Sequence, residues 1–258
     1  MTTFVIVVCA VLGLAVGSFL NVVIARVPKR ESVVHPPSHC PNCDAPIAPR
    51  DNIPLVSWLL LHGRCRHCAA PISVRYPLVE AGNAALFALV AWRYPESWLL
   101  LPFLVLTAAL LALSIIDIDH FLLPNRIVFP LAGAMPVLLA VATFGDGTEW
   151  SVWGRSIAGG FAGFGAYFLL NLVYPRGMAF GDVKLAFPIS LALAYLGWGE
   201  LLVGHFAAFL LGSVIGIILM LARGKGRKDP VPFGPFMATG TMLVILWGPQ
   251  FLSWYLNS

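Results

Sequence analysis

Charge is what this sequence lacks. Only 11% of its 258 residues are Asp, Glu, Lys or Arg, while 59% are hydrophobic. A soluble domain carries roughly 25% charged residues. A chain this poor in charge cannot cover itself with a wetted surface, so a soluble globular protein is excluded. The expectation is an all-α polytopic membrane protein. Acidic residues are scarcest, 12 against 16 basic. The net charge of +4 does not point to nucleic acid as a partner, because membrane topology accounts for the basic residues better. A G-x-G-x-x-G loop following a strand is also missing, which excludes an ordinary Rossmann cofactor site. Hydrophilic stretches are short everywhere except in residues 26–77.

What is present is a series of apolar runs. Eight can be drawn: 3–25, 78–92, 98–116, 127–144, 154–174, 185–197, 200–222 and 234–256. Crossing the hydrocarbon core takes about 20 residues of helix, so the second and sixth are short. The first is too long and too weakly charged at its start for a cleaved signal peptide, and no A-x-A-like site follows it. With the N-terminus outside, fourteen of the sixteen basic residues fall in inner loops, leaving only Arg93 and Arg155 outside. About eight transmembrane helices, in contact with the lipid bilayer, are therefore expected. The chain divides into a first helix (1–25), a cytoplasmic loop (26–77) and a helix bundle (78–258). A basic turn, Arg223 to Lys228, lies near anionic headgroups.

The loop carries four of the five cysteines. Cys40 and Cys43 form one CxxC, Cys65 and Cys68 another, with 21 residues between the pairs. That spacing is close to a zinc ribbon, in which two knuckles complete a tetrahedral Cys₄ site. A reducing cytoplasm argues against disulfides. Four protein ligands leave no open position, so the zinc would be structural. Free or redox CxxC pairs are the alternative. His35, His39, His62 and His67 share the loop and read better as solvated or locally bonded than as ligands. Cys9 reads as a small core residue.

Two aspartates stand at the edges of apolar helices. Asp117 closes one run and is followed by Ile118, Asp119 and His120; Asp182 precedes another. Ionisable groups at the edge of hydrocarbon are expensive, which makes them site candidates. The charge count puts both at the cytoplasmic edge. Paired carboxylates that share a proton can hydrolyse a peptide bond: one activates water, the other donates to the carbonyl. Plainer readings exist. Asp119 can replace Asp117, and Asp182 can cap a helix or pair with Lys184. Glu80, early in the second run, can be a buried hydrogen-bonded carboxylate. A proton- or ion-coupled transporter using Asp117, Asp119, Glu80 and His205 is the rival function, though no pseudo-symmetric halves are visible. An assembly factor docking through the cysteine loop is a third class.

Several stretches carry a resemblance. They are Gly17-Ser18-Phe19-Leu20-Asn21 through Pro28, the CxxC loop with Asn52-Ile53-Pro54-Leu55 and Arg75-Tyr76-Pro77, Ile116-Asp117-Ile118-Asp119-His120 with Leu123-Pro124-Asn125, Gly177 through Leu185, and Pro232-Phe233-Gly234-Pro235-Phe236. In order and spacing the chain resembles the bacterial type IV prepilin peptidases. The resemblance implies an integral aspartyl protease of the cell inner membrane with Asp117 and Asp182 as its catalytic pair. It implies removal of the basic leader of prepilins, and of type II secretion pseudopilins, by cutting after glycine on the cytoplasmic side. It further implies N-methylation of the new terminus with S-adenosylmethionine as donor, an activity associated with the cysteine loop. Two positions depart from the family pattern. Asn125 stands where aspartate is usual, and Ala179 replaces the first glycine of G-x-G-D. Alanine there is costly if the position needs a positive φ.

Overall fold

The computed structural model describes residues 1–175, 177–223 and 231–257. Each of the eight apolar runs corresponds to one helix: α1 (Thr2–Arg26), α3 (Arg75–Arg93), α4 (Leu100–His120), α5 (Asn125–Gly145), α6 (Trp150–Val173), α7 (Phe180–Leu196), α8 (Trp198–Arg223) and α9 (Gly234–Asn257). A short α2 (Val56–Leu60) lies inside the loop. The described residues contain no strand beyond two isolated bridges. This is an α-helical, multi-pass membrane protein. Five helices, α1, α4, α5, α6 and α8, are long and apolar enough to cross a membrane. Of the expected basic groups, Arg176, Lys225, Arg227 and Lys228 fall outside the described residues.

The chain forms two compact units, Met1–Pro95 and Glu96–Ser258. In the first, α1 and α3 pack closely because small residues let backbones approach. Gly13 and Gly17 form the contact: a Cβ at either would sit 2.7 Å from the Cα of Ala84 or Glu80. Asn83 is fully buried and donates from Nδ2 to the Gly13 carbonyl at 2.8 Å. Asn21 donates to the Tyr76 carbonyl near the start of α3.

In the second unit, α7 is apolar all round because it is enclosed all round. Residues 185–186 and 188–195 are all buried. Enclosure by other helices, not length, accounts for its hydrophobicity. α6 lies against it through Gly159, Gly160 and Gly163, facing Ala194, Leu191 and Ser190. Ser156 donates to the Leu191 carbonyl at 2.7 Å. Arg155 donates to the carbonyls of Ala194 and Tyr195, which satisfies acceptors at the end of α7 that helix geometry leaves open.

Candidate active site and metal cluster

Asp117 lies in the last turn of α4, and the two carboxylates of the 117–119 sequence part company there. Asp117 is 5% exposed, whereas Asp119 points outward. α4 ends at Phe121, which takes a left-handed conformation (φ 53°, ψ 40°). The chain then reverses through Leu123 into α5. The Asp117 carboxylate is bonded at the far end of the sequence: the Gly234 N–H, at the start of α9, donates to Oδ2 at 2.8 Å. A helix N-terminus offers unsatisfied N–H groups and partial positive charge. Glycine suits the approach: a Cβ at 234 would lie 2.9 Å from that oxygen, and the carboxylate would have to shift to admit it.

Asp182 is 4% exposed and sits in the first turn of α7. It is not the N-cap. Ala179 holds that position, and the Asp182 carboxylate reaches back to accept the Ala179 N–H at 3.2 Å. The backbone at Ala179 has φ −74° and ψ 145°. That is extended conformation open to any residue, so alanine carries no strain where the family usually has glycine. Lys184 does not pair with Asp182. Its ammonium donates to Asn125 Oδ1 at 2.6 Å and lies over the rings of Phe129 and Phe180. The second departure from the family pattern, Asn125, is thus the acceptor that ties α5 to α7.

One side chain brings the two carboxylate turns together. Leu123 is buried between them: the Cβ position of Gly181 lies 3.1 Å from Leu123 Cβ, and that of Gly234 lies 3.3 Å from Leu123 Cδ2. The turns that carry Asp117 and Asp182 thus share Leu123 as a common neighbour. Two enclosed carboxyl groups, one accepting from the start of α9 and the other in the first turn of α7, and both set around Leu123, have the chemistry to share a proton and handle water if they meet.

Residues 11–94 match the bacterial peptidase A24 N-terminal domain, and residues 104–221 match the type IV leader peptidase family. The chain is 38% identical over 276 residues to the prepilin leader peptidase/N-methyltransferase of Stutzerimonas stutzeri, covering 97% of this chain and 94% of that one. It is 37% identical to the proteins of the same name from Aeromonas hydrophila (95% and 92% covered) and Pseudomonas aeruginosa (97% and 93%). The chain belongs to the type IV leader peptidase family. No solved structure matches it. Membership in a peptidase family does not favour the transporter reading, and the groups of that supposed path are otherwise engaged. Glu80 accepts the Leu55 N–H at 2.8 Å, and His205 bonds Tyr167 and Ser190.

The four cysteines of the family's N-terminal region converge. Their Sγ atoms all lie within 4.8 Å of one another, with Cys40 and Cys68 3.8 Å apart. Zinc–sulfur bonds of 2.3 Å in a tetrahedron put sulfurs about 3.8 Å apart. The thiols therefore fit a metal, and no histidine belongs to the cluster. Two equivalent knuckles build it. The Cys40 N–H bonds the Ala45 carbonyl and the Asp44 N–H bonds the Cys40 carbonyl; Cys65, Ala70 and Ala69 repeat the pattern. Asp44 and Ala69 both have positive φ. The sequence holds the matching signal, Cys-x-x-Cys-x-Ala-Pro-Ile at 40–47 and again at 65–72. Backbone hydrogen bonds from Ala70, with the Asn42 amide, bring the Cys68 thiol down to about 6, which favours the thiolate. Arg66 braces the second knuckle by a two-pronged pair to Asp51, at 2.6 and 2.8 Å, and holds that carboxyl below its usual range.

Sequence reading missed the partners. Gly234 was part of a motif without a role, although Pro235 just inside a helix start is a recognisable signal. Leu123 and Tyr167 carry no local signal at all.

Proposed function

We propose that this chain removes the leader peptide of type IV prepilins by aspartyl proteolysis, with Asp117 and Asp182 as the reacting pair. The observation that carries the reading is the enclosure of both carboxyl groups around Leu123, in a chain of the leader peptidase family. One carboxyl group, ionised, takes a proton from water as it attacks the scissile carbonyl. The other, neutral, donates to that carbonyl oxygen, and the pair returns a proton to the leaving amine. The Gly234 N–H fixes one oxygen of Asp117, and the Ala179 N–H one of Asp182, so each carboxyl presents its other oxygen to the reaction.

The active end would face the cytoplasm across the inner membrane. Basic leaders of prepilins, and of the pseudopilins of type II secretion, would lie there while the apolar helix of the substrate stays in the bilayer. Cutting after glycine suits such a substrate, because glycine lowers the cost of unwinding a helix to expose a carbonyl. Residues 26–77 would form a zinc module held by Cys40, Cys43, Cys65 and Cys68, with the metal supplying structure rather than chemistry. Glu80, by accepting the Leu55 N–H, ties that module to α3. The relatives' names include N-methyltransferase; in this chain that activity would act on the newly exposed terminus, with S-adenosylmethionine as the donor. The test is cleavage of a purified prepilin by the reconstituted chain and by its Asp117→Asn and Asp182→Asn forms. Cleavage by the parent and none by either variant is expected; wild-type turnover in either variant ends the reading.

A further inference from the structure

A buried polar chain runs through the second unit beside the aspartate pair. The Tyr167 hydroxyl, on α6, lies 3.0 Å from Nδ1 of His205 on α8. Nε2 of the same ring lies 2.7 Å from Ser190 Oγ on α7. Tyr167 is 2% exposed and Ser190 is fully buried. Three helices thus meet through three polar side chains in an apolar interior. A glycine admits the contact: a Cβ at Gly163 would collide with Ser190 Oγ and lie 3.5 Å from His205 Nε2.

The register of α6 against α7 places Tyr167. One turn before it, Gly163 faces Ser190. One turn after it, the Asn171 amide donates to the Met178 carbonyl at 2.8 Å. Residues four apart stand on one helix face, so Tyr167 falls between these contacts and level with the first turn of α7, which carries Asp182. The Tyr167 ring also packs on Phe233, with centroids 6.4 Å apart. Phe233 immediately precedes Gly234, which holds Asp117.

A neutral imidazole has one N–H and one lone pair. Flanked by two hydroxyls, it is satisfied in either tautomer. With the proton on Nδ1, the ring donates to the tyrosine oxygen, Ser190 donates to Nε2, and the Tyr167 O–H is released to donate elsewhere. With the proton on Nε2, Tyr167 donates to the ring, and its oxygen keeps a lone pair to offer. The chain can therefore present a donor or an acceptor without bringing net charge into the interior.

We propose that Tyr167 is a positioning residue of the peptidase centre. Its hydroxyl, held by His205 and Ser190, orients the Asp182 carboxyl in both protonation states of the cycle. This rests on the reading of Asp117 and Asp182 as the reacting pair.

The test is steady-state cleavage of a prepilin by the full reconstituted chain, comparing Tyr167→Phe, His205→Gln and His205→Leu with Asp182→Asn. Tyr167→Phe keeps the ring and removes only the hydroxyl. Its kcat is expected to fall about tenfold to a hundredfold, the effect of one hydrogen bond to a charged group, with KM little changed. His205→Gln, whose amide can bond both hydroxyls, should retain more kcat than His205→Leu. Wild-type kcat in Tyr167→Phe overturns the inference, as does a change confined to KM. Loss of that variant from the membrane does so too, because it assigns the hydroxyl to folding. Full activity in Asp182→Asn would instead bring down the dyad itself, an outcome distinct from any behaviour of Tyr167.

Discussion

The Gly234 amide donates to the Asp117 carboxylate at 2.8 Å across 117 residues of chain. This contact joins the end of α4 to the start of α9. It makes a glycine without reactive chemistry part of the candidate centre. Replacement by alanine places a methyl group against Oδ2 and displaces the carboxylate. A hydrogen bond to a charged group contributes about 1.5–3 kcal/mol. Gly234→Ala should therefore lower kcat/KM by about ten- to a hundredfold while the protein still inserts in the membrane. Kinetics of the purified variant beside wild type measure this.

The two acidic groups of α4 should behave differently. Asp117→Asn is expected to remove about 10²–10⁴-fold in rate, the range for a general acid or base. Asp119→Asn, at an exposed position, should leave turnover nearly unchanged. Equal losses at both positions would show that burial does not mark the reacting group.

Asn125 offers a gain rather than a loss. Asn125→Asp turns its 2.6 Å contact with Lys184 into a charge-assisted bond. The site is exposed, so the added stability should stay below about 1 kcal/mol. A thermal melt in detergent, with added salt reversing the gain, checks the sign.

Metal content should follow the cysteines. Purified protein is expected to hold one zinc, and Cys43→Ser or Cys65→Ser should release it. Because the four thiols of the two knuckles converge on one point, chelation should open residues 26–77 to protease. Leader cleavage should survive better than methylation. Wild-type protein without zinc would refute the assignment.

Close helix packing in the first unit is equally exposed to test. Gly13→Leu forces a side chain against the α3 backbone, where even a Cβ lies 2.7 Å from Ala84 Cα. Overpacking of this kind costs about 1–3 kcal/mol. Reduced yield and a lower melting temperature are expected, and Gly82→Ala, whose Cβ would meet nothing within 4 Å, is the control.

Hydropathy alone determined that this is a helical membrane protein, because a run of apolar residues has only one way to satisfy its backbone in lipid. Spacing pointed to the two cysteine knuckles, since a CxxC knuckle closes within its own few residues, while the fold brought the two together. The two aspartates were visible because a carboxylate is conspicuous at the edge of an apolar helix. Tertiary structure decided what those carboxylates touch. Nothing near Asp117 in sequence names Gly234, and nothing near Asp182 names Leu123 or Tyr167. Lys184 illustrates the same limit: two residues from Asp182 in sequence, it bonds Asn125 instead, because neighbours along a helix point to different sides. Local pattern is a property of a few consecutive residues, whereas a partner 65 or 117 positions away is chosen by how whole helices pack.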